Sequence, residues 1–192
     1  DGVAFRAWTS DFLNRLLTSE MGKAEQRAAN NHGTFFALQA VTYALYTGQS
    51  DTARELLIQV RDHLIPNQID VEGMQPHEIH RTRTFHYHTY NLWGLFQLAA
   101  AAEHVGINLW DAHDRRLYTA LKFVSPYIDP DKKWPHPDLN ISMEYLHWVM
   151  RHGALRYQDD EMDALLNRHG SEAFWLRQFQ LTAPPFPEAA TP

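Results

Sequence analysis

Two short stretches hold most of the side chains that could do chemistry. Asn30-Asn31-His32-Gly33 puts two amides and an imidazole at the mouth of one long apolar segment. Arg81-Thr82-Arg83-Thr84-Phe85-His86-Tyr87-His88-Thr89-Tyr90 puts two guanidiniums, two imidazoles and two phenols at the mouth of the next. Amides, guanidiniums and imidazoles are donors that can hold a carboxylate, and imidazoles and phenols can move protons. Together they suit binding a carboxylate and transferring a proton beside it. Residues three, four and seven apart share a helix face, so Arg83, His86, Tyr87 and Tyr90 line up if the second stretch is helical. A phenol ordinarily titrates near ~10 and needs cationic neighbours to act as a base, which a guanidinium and an imidazole on the same face would supply. Each residue also has a plain structural role: Asn31 and His32 as helix caps, the tyrosines as core, and Arg81 and Arg83 as partners of Glu72 or Glu78. The combination is what points to a site.

The elements that must position these groups are helical. Residues 5–18 read as a helix, followed after Gly22 by a polar loop to Asn31. Residues 34–47 are apolar almost all round, which predicts burial on all sides, and Gly48 stops them. Residues 51–63 carry one apolar stripe (Ala53, Leu56, Leu57, Val60, Leu64) against a charged face, making a buried-then-amphipathic αα-hairpin. An irregular link over 65–82 leads to a second apolar helix, 84–104, and a second amphipathic partner from Asp111 or His113 to about Tyr127. A loop over 129–138 precedes a third pair, 140–155 and 158–168. Trp175–Leu181 reads as either an extended segment or a last helical turn, and 182–192 as a Pro-rich tail, so that one domain spans 1–181. The apolar helices begin near 34, 84 and 140, a period of about 50 residues. Three such hairpins in series predict concentric layers: an all-α fold, either an α/α toroid or an α-solenoid.

Composition narrows the function classes. The chain has 192 residues, 44% of them apolar, enough for a proper core. Seventeen basic against 23 acidic residues give a net charge of −6, which argues against a nucleic-acid surface. No apolar run is long enough to span a membrane. There are no cysteines, so disulfides and Cys-ligated zinc are excluded. Twelve histidines and six tryptophans are unusual, and aromatics with His and Arg suit a carbohydrate cleft. Asp1-Gly2-Val3-Ala4-Phe5 has neither a basic region nor an apolar run of a signal peptide.

The two site motifs at this separation resemble the α/α-toroid alginate lyases, polysaccharide lyase families five and thirty-eight and their relatives. Leu45-Tyr46-Thr47-Gly48, Gln68-Ile69-Asp70, Gly73-Met74-Gln75-Pro76 and Gly106-Ile107-Asn108-Leu109-Trp110 add to the likeness, which spans roughly residues 5–150. The resemblance implies an α/α toroid that cleaves a polyuronate by β-elimination, without a metal or organic cofactor. It implies a secreted or periplasmic setting with any export signal removed. By motif match Asn31 and His32 would lie at the uronate carboxylate. An arginine seven positions before the proton-transferring tyrosine maps onto Arg83 and Tyr90, with Arg81 and Tyr87 as near competitors. Arg81, His86, Tyr87 and Trp134 are expected as further substrate contacts. Family members carry a substantial N-terminal half before Asn-Asn-His, whereas 29 residues precede Asn30 here, so the expectation is the C-terminal half of a toroid.

The chemistry is consistent with those residues. A uronate C5 proton lies α to a carboxylate and is not acidic, and its removal pushes charge onto that carboxylate. Donors of the Asn31, His32 and arginine type must grip the dianion. A base near C5 and an acid near O4 complete the set. One tyrosine can play both parts if proton and leaving group share a face of the sugar; otherwise His32 is the base. Trp134 and His136 would either stack on a sugar ring or plug the core. Two rival readings remain. One is a metal hydrolase built on His77, His80, His86, His88 and Glu78, against which stands the lack of a His-Glu-x-x-His run. The other is a catalytically inactive carbohydrate-binding or scaffold helical domain.

Overall fold

The three apolar segments become three parallel inner helices. A computed structural model describes residues 2–169; the expectations for 170–192, including Trp175–Leu181 and the Pro-rich tail, lie outside the described residues. The inner helices are α3 (Asn31–Thr47), α6 (Thr84–Glu103) and α8 (Glu144–Tyr157). Helices α1 (Gly2–Thr18), α4 (Ser50–Gln59), α7 (Ala112–Val124) and α9 (Asp160–His169) pair with them from outside, and short helices α2 (Glu20–Gln26) and α5 (Ile65–Gln68) and a 3-10 turn at Ser125–Ile128 lie between. Inner helices pack on inner helices, α3 on α6 and α6 on α8. The result is an arc of an α/α toroid. Among the described residues no strand forms, and only an isolated antiparallel bridge joins Arg83 to Asp138.

The core sits between the layers. Phe36, Ala40, Val41 and Ala44 of α3 and Phe85, Leu92, Leu95 and Phe96 of α6 are all buried in one apolar cluster. Of the stripe expected over 51–63, Ala53, Leu56, Leu57 and Val60 are buried and Leu64 is half-buried, and Leu117, Leu121, Val124 and Ile128 in and after α7 are buried as well. At the α3–α6 crossing Gly94 permits the close approach: a Cβ there would sit 2.9 Å from Thr34 Cγ2 and 3.1 Å from the Phe35 ring.

Several boundaries differ from the sequence expectation: α1 starts at Gly2 rather than 5, and α3 at Asn31 rather than 34. Glu20–Gln26 is helical, not loop, because Ser19 caps it by accepting from Gly22 N at 3.1 Å. The helix expected to end at 63 runs on to Gln68 through a π turn at Val60–Leu64. Pro66 lacks an N–H and crowds the carbonyl four residues back, and a wider turn relieves both problems. The third inner helix starts at Glu144 rather than 140, leaving Ile141 exposed.

The remaining link, residues 69–83, is tightly built. Asp70 Oδ1 accepts from Glu72 N and Met74 N, both at 2.9 Å. Gly73 holds φ +92° against the Thr119 carbonyl, a spot no side chain could share. A buried polar chain then ties the link to the inner helices. Thr34 Oγ1 donates to Gln68 Oε1 (2.8 Å), and Asn91 Nδ2 donates to both Gln68 Oε1 and Gln75 Oε1 (2.9 and 2.8 Å). Gln75 N donates to His88 Nε2 at 3.3 Å while His88 Nδ1 donates to Thr84 O at 2.9 Å, so His88 is a neutral imidazole in a set tautomer.

Candidate active site

The link returns the chain to the N-terminal end of α3, so the first turns of α3, α6 and α8 gather at one end of the arc. Helix N-termini favour an anion, although first-turn N–H groups of α3 and α6 are taken up by Glu78, Asn30 and Asp138, and α8 opens on Glu144. Asn30, not Asn31, caps α3, its Oδ1 accepting from His32 N at 3.1 Å. That correction frees the Asn31 side chain for other work. Asp138 caps α6 from across the chain, accepting from Phe85 N at 2.7 Å.

Asn31, His32 and Tyr90 line one cavity of about 370 Å³ together with Glu25, Phe35 and Gln39. Asn31 is buried and His32 exposed. His32 Nδ1 lies 2.9 Å from Glu25 Oε2; with the proton on Nδ1, Nε2 is left as the acceptor. Tyr90 stacks on Phe35 at 4.2 Å and touches Tyr145 at 5.0 Å. Burial, then the Tyr87 phenol, raises the Tyr90 pKa above its ordinary value. The expectation that cations on the helix face would favour its phenolate is not met.

The two arginines separate. Arg81 Nη1 is 3.4 Å from Asn31 Oδ1, and its guanidinium lies 4.0 Å from the centre of the Tyr87 ring. Arg83 is held at the start of α6 by its backbone bridge to Asp138, and its buried Nε has no hydrogen-bond partner. His86 packs against Tyr87 and Tyr90, and burial followed by Arg83 lowers its pKa. Arg83, His86, Tyr87 and Tyr90 thus share a helix end, but it is Arg81 that reaches Asn31.

Trp134 is the plug rather than a sugar platform. It is 8% exposed, its Nε1 donates to Thr84 Oγ1 at 2.7 Å, and Phe85, Phe123, Tyr127, His88 and His136 surround it. The side chains of the metal reading do not converge: His77 and His80 are exposed and His88 is fully buried. Among the described residues no group of three or more His, Asp or Glu could hold a metal.

Sequence reasoning missed two members of this region. Glu78, read as an arginine's partner or a metal ligand, does face Arg81 at 3.9 Å, but it is also buried against the backbone of Asn31, which the sequence did not suggest. Tyr145, within the segment 140–155 read only as a helix, meets His86, Tyr90 and Trp93. A signal for Tyr145 existed: Phe35 stacks on Tyr90, Tyr90 meets Tyr145 at a tilt, and the three lie 55 residues apart in sequence, one on each inner helix.

The family model for alginate lyases matches residues 1–134, some two thirds of the chain. This chain belongs to the alginate lyase family. A crystal structure of an alginate lyase from Bacteroides ovatus superposes with a TM-score of 0.83 at 28% identity, covering 90% of this chain and 47% of that one. The chain therefore spans about half the length of that alginate lyase. No curated protein matches it. The alginate lyase likeness accounts for the layered helices, and the matched residues include Asn31, His32, Arg81, Arg83 and Tyr90.

Proposed function

We propose that this chain carries the proton-transfer site of a polysaccharide lyase that cleaves a polyuronate by β-elimination, needing neither metal nor organic cofactor. Alginate, mannuronate-rich first, is the leading substrate, with glucuronan next. The observation that carries this reading is the meeting of Asn31, His32 and Tyr90 in one cavity, with Arg81 3.4 Å from the Asn31 amide oxygen. In this reading the Asn31 amide and Arg81 donate to the uronate carboxylate and stabilise the charge that develops there. His32, oriented by Glu25, has a free nitrogen to take the C5 proton. Tyr90, kept protonated by its apolar neighbours, suits delivery of a proton to the departing O4. Tyr87, under Arg81, is the alternative proton carrier, and Arg83 and His86 support the helix end on which both phenols stand. The family setting favours secretion or export to the periplasm; no described helix is long and apolar enough to cross a membrane.

The test is ultraviolet absorbance of the unsaturated uronate product on polymannuronate, polyguluronate and glucuronan, with and without EDTA. Absorbance should rise regardless of EDTA. Tyr90→Phe should lower kcat by about 10²–10⁴-fold, the usual size of an acid–base contribution. Binding of the polymers with no absorbance change on any of them would favour the non-catalytic carbohydrate-binding reading.

A further inference from the structure

Glu78 is a carboxylate sealed beneath the site. It is 1% exposed. Its Oε1 accepts from Asn31 N at 2.6 Å, while its Oε2 is buried with no hydrogen-bond partner. The closest cation is Arg81, whose Nη1 stands 3.9 Å from Oε2, beyond hydrogen-bond reach. That same nitrogen is 3.4 Å from Asn31 Oδ1. One carboxylate therefore touches the backbone of one substrate-facing residue and faces the guanidinium of another. An ionised carboxylate with one hydrogen bond and a dry second oxygen is costly to bury, and a neutral acid in the same place costs less, because an unpaired O–H is cheaper to desolvate than a charge.

We propose that Glu78 is the positioning residue of the site: it fixes the Asn31 backbone and, by taking up a proton when a uronate carboxylate arrives, releases Arg81 to that carboxylate. The proposal rests on the lyase reading above. The covalent change is one O–H bond, formed on Glu78 with a proton from solvent and broken again when the product leaves. The groups facing Glu78 are Arg81 from its own link and Asn31 and His32 from α3, with Glu25 of α2 bound to His32. Burial outweighs the Asn31 N–H, Arg81 and His32, and the acid is held at about 7, where a second anion nearby would tip it to the neutral form. With Glu78 charged, Arg81 is drawn to it and the incoming anion is repelled. With Glu78 neutral, neither holds.

The test is calorimetric binding of a mannuronate oligomer to the wild-type chain and to Glu78→Gln, from pH 6 to 9 in buffers of different ionisation enthalpy. Gln keeps the shape and the acceptor for Asn31 N–H but cannot take up a proton. Wild type should absorb up to one proton per oligomer, and its affinity should fall by as much as about tenfold per pH unit above 7. Glu78→Gln should bind with no such uptake and a flatter profile. The same uptake in both proteins assigns the proton to His32 or elsewhere and overturns the proposal, as does its absence from wild type, whether or not the variant folds. Should the oligomer not bind at all, the lyase reading fails, and the Asn31 amide resonance decides on Glu78 separately. A shift with pH centred near 7 in wild type and lost in Glu78→Gln keeps Glu78 as the group that fixes Asn31; a resonance indifferent to pH removes it.

Discussion

Arg81 and Arg83 are two positions apart, yet their surroundings assign them different work. Arg81 lies on the Tyr87 ring and reaches Asn31, so its charge is available where a carboxylate would sit. Arg83 is partly buried at the helix start, beside His86, with Asp138 across the bridge. Arg81→Ala should therefore lower kcat/KM by about 10²-fold or more with little change in melting temperature, as loss of a charge-stabilising donor does. Arg83→Ala should cost chiefly stability, about 1–2 kcal/mol, through lost packing at the helix start. Steady-state kinetics and thermal melts on the two variants check this, and equal activity losses would contradict it. The seven-residue spacing inherited from the family pattern favours Arg83; the distances favour Arg81.

Between elements, the contact of α3 with α6 governs the site, because Asn31 and His32 stand on one helix and Tyr87 and Tyr90 on the other. Gly94 sets how closely the two approach. Gly94→Ala would drive a methyl into Thr34 and the Phe35 ring, at a cost of about 1–3 kcal/mol by the usual scale of overpacking. Phe35 also stacks on Tyr90, so the variant should lose activity beyond what its stability loss explains. The comparison is kcat measured well below the melting temperature; full activity there would mean that the stack does not place Tyr90. The expected hairpins were legible because a helix repeats every 3.6 residues and its pattern can be counted, but the burial of α3 on all sides was not met, since Gln39, Thr42 and Tyr46 are exposed. The π turn before Pro66 was not, since it answers a clash that depends on the helix continuing.

Across the whole molecule, pH stability reflects where imidazoles were buried. His88, fixed between Thr84 and Gln75, and His152, half-buried on α8 and stacked on Trp148, are both held at about 4, chiefly by burial. Their folded values lie below the ordinary 6.5, so the unfolded chain binds protons that the fold refuses, and stability falls as pH drops from 6.5 towards 4. A group shifted that far contributes up to about 3 kcal/mol of this loss. Glu78 works the other way: its folded value of about 7 exceeds the ordinary 4.5, so it disfavours the fold as pH rises through that window. Two histidines against one carboxylate predict a net acid loss, which Glu78→Gln should steepen. Melting temperatures from pH 4 to 7.5 on both proteins measure it, and a flat wild-type profile would refute the assignment.

By itself the sequence determined the helices, their layering at a period near 50 residues, and the association of Asn31 and His32 with Tyr90. Periodicity reports which side chains share a face of one helix, and the two motifs stand at the ends of segments that such a pattern must bury. Only the tertiary structure decided that Glu78 lies under Asn31, 47 residues away in sequence, that Arg81 outreaches Arg83, that Tyr145 joins the aromatic stack, and that Trp134 fills the core behind α6. Glu78, Arg81, Arg83 and Trp134 lie in the connecting links, where backbone direction changes at every turn and no spacing rule says what a side chain will meet. The path of those links is set by Asp70, Gly73, Gln75 and Asp138, through hydrogen bonds and close approaches that exist only once the helices have packed.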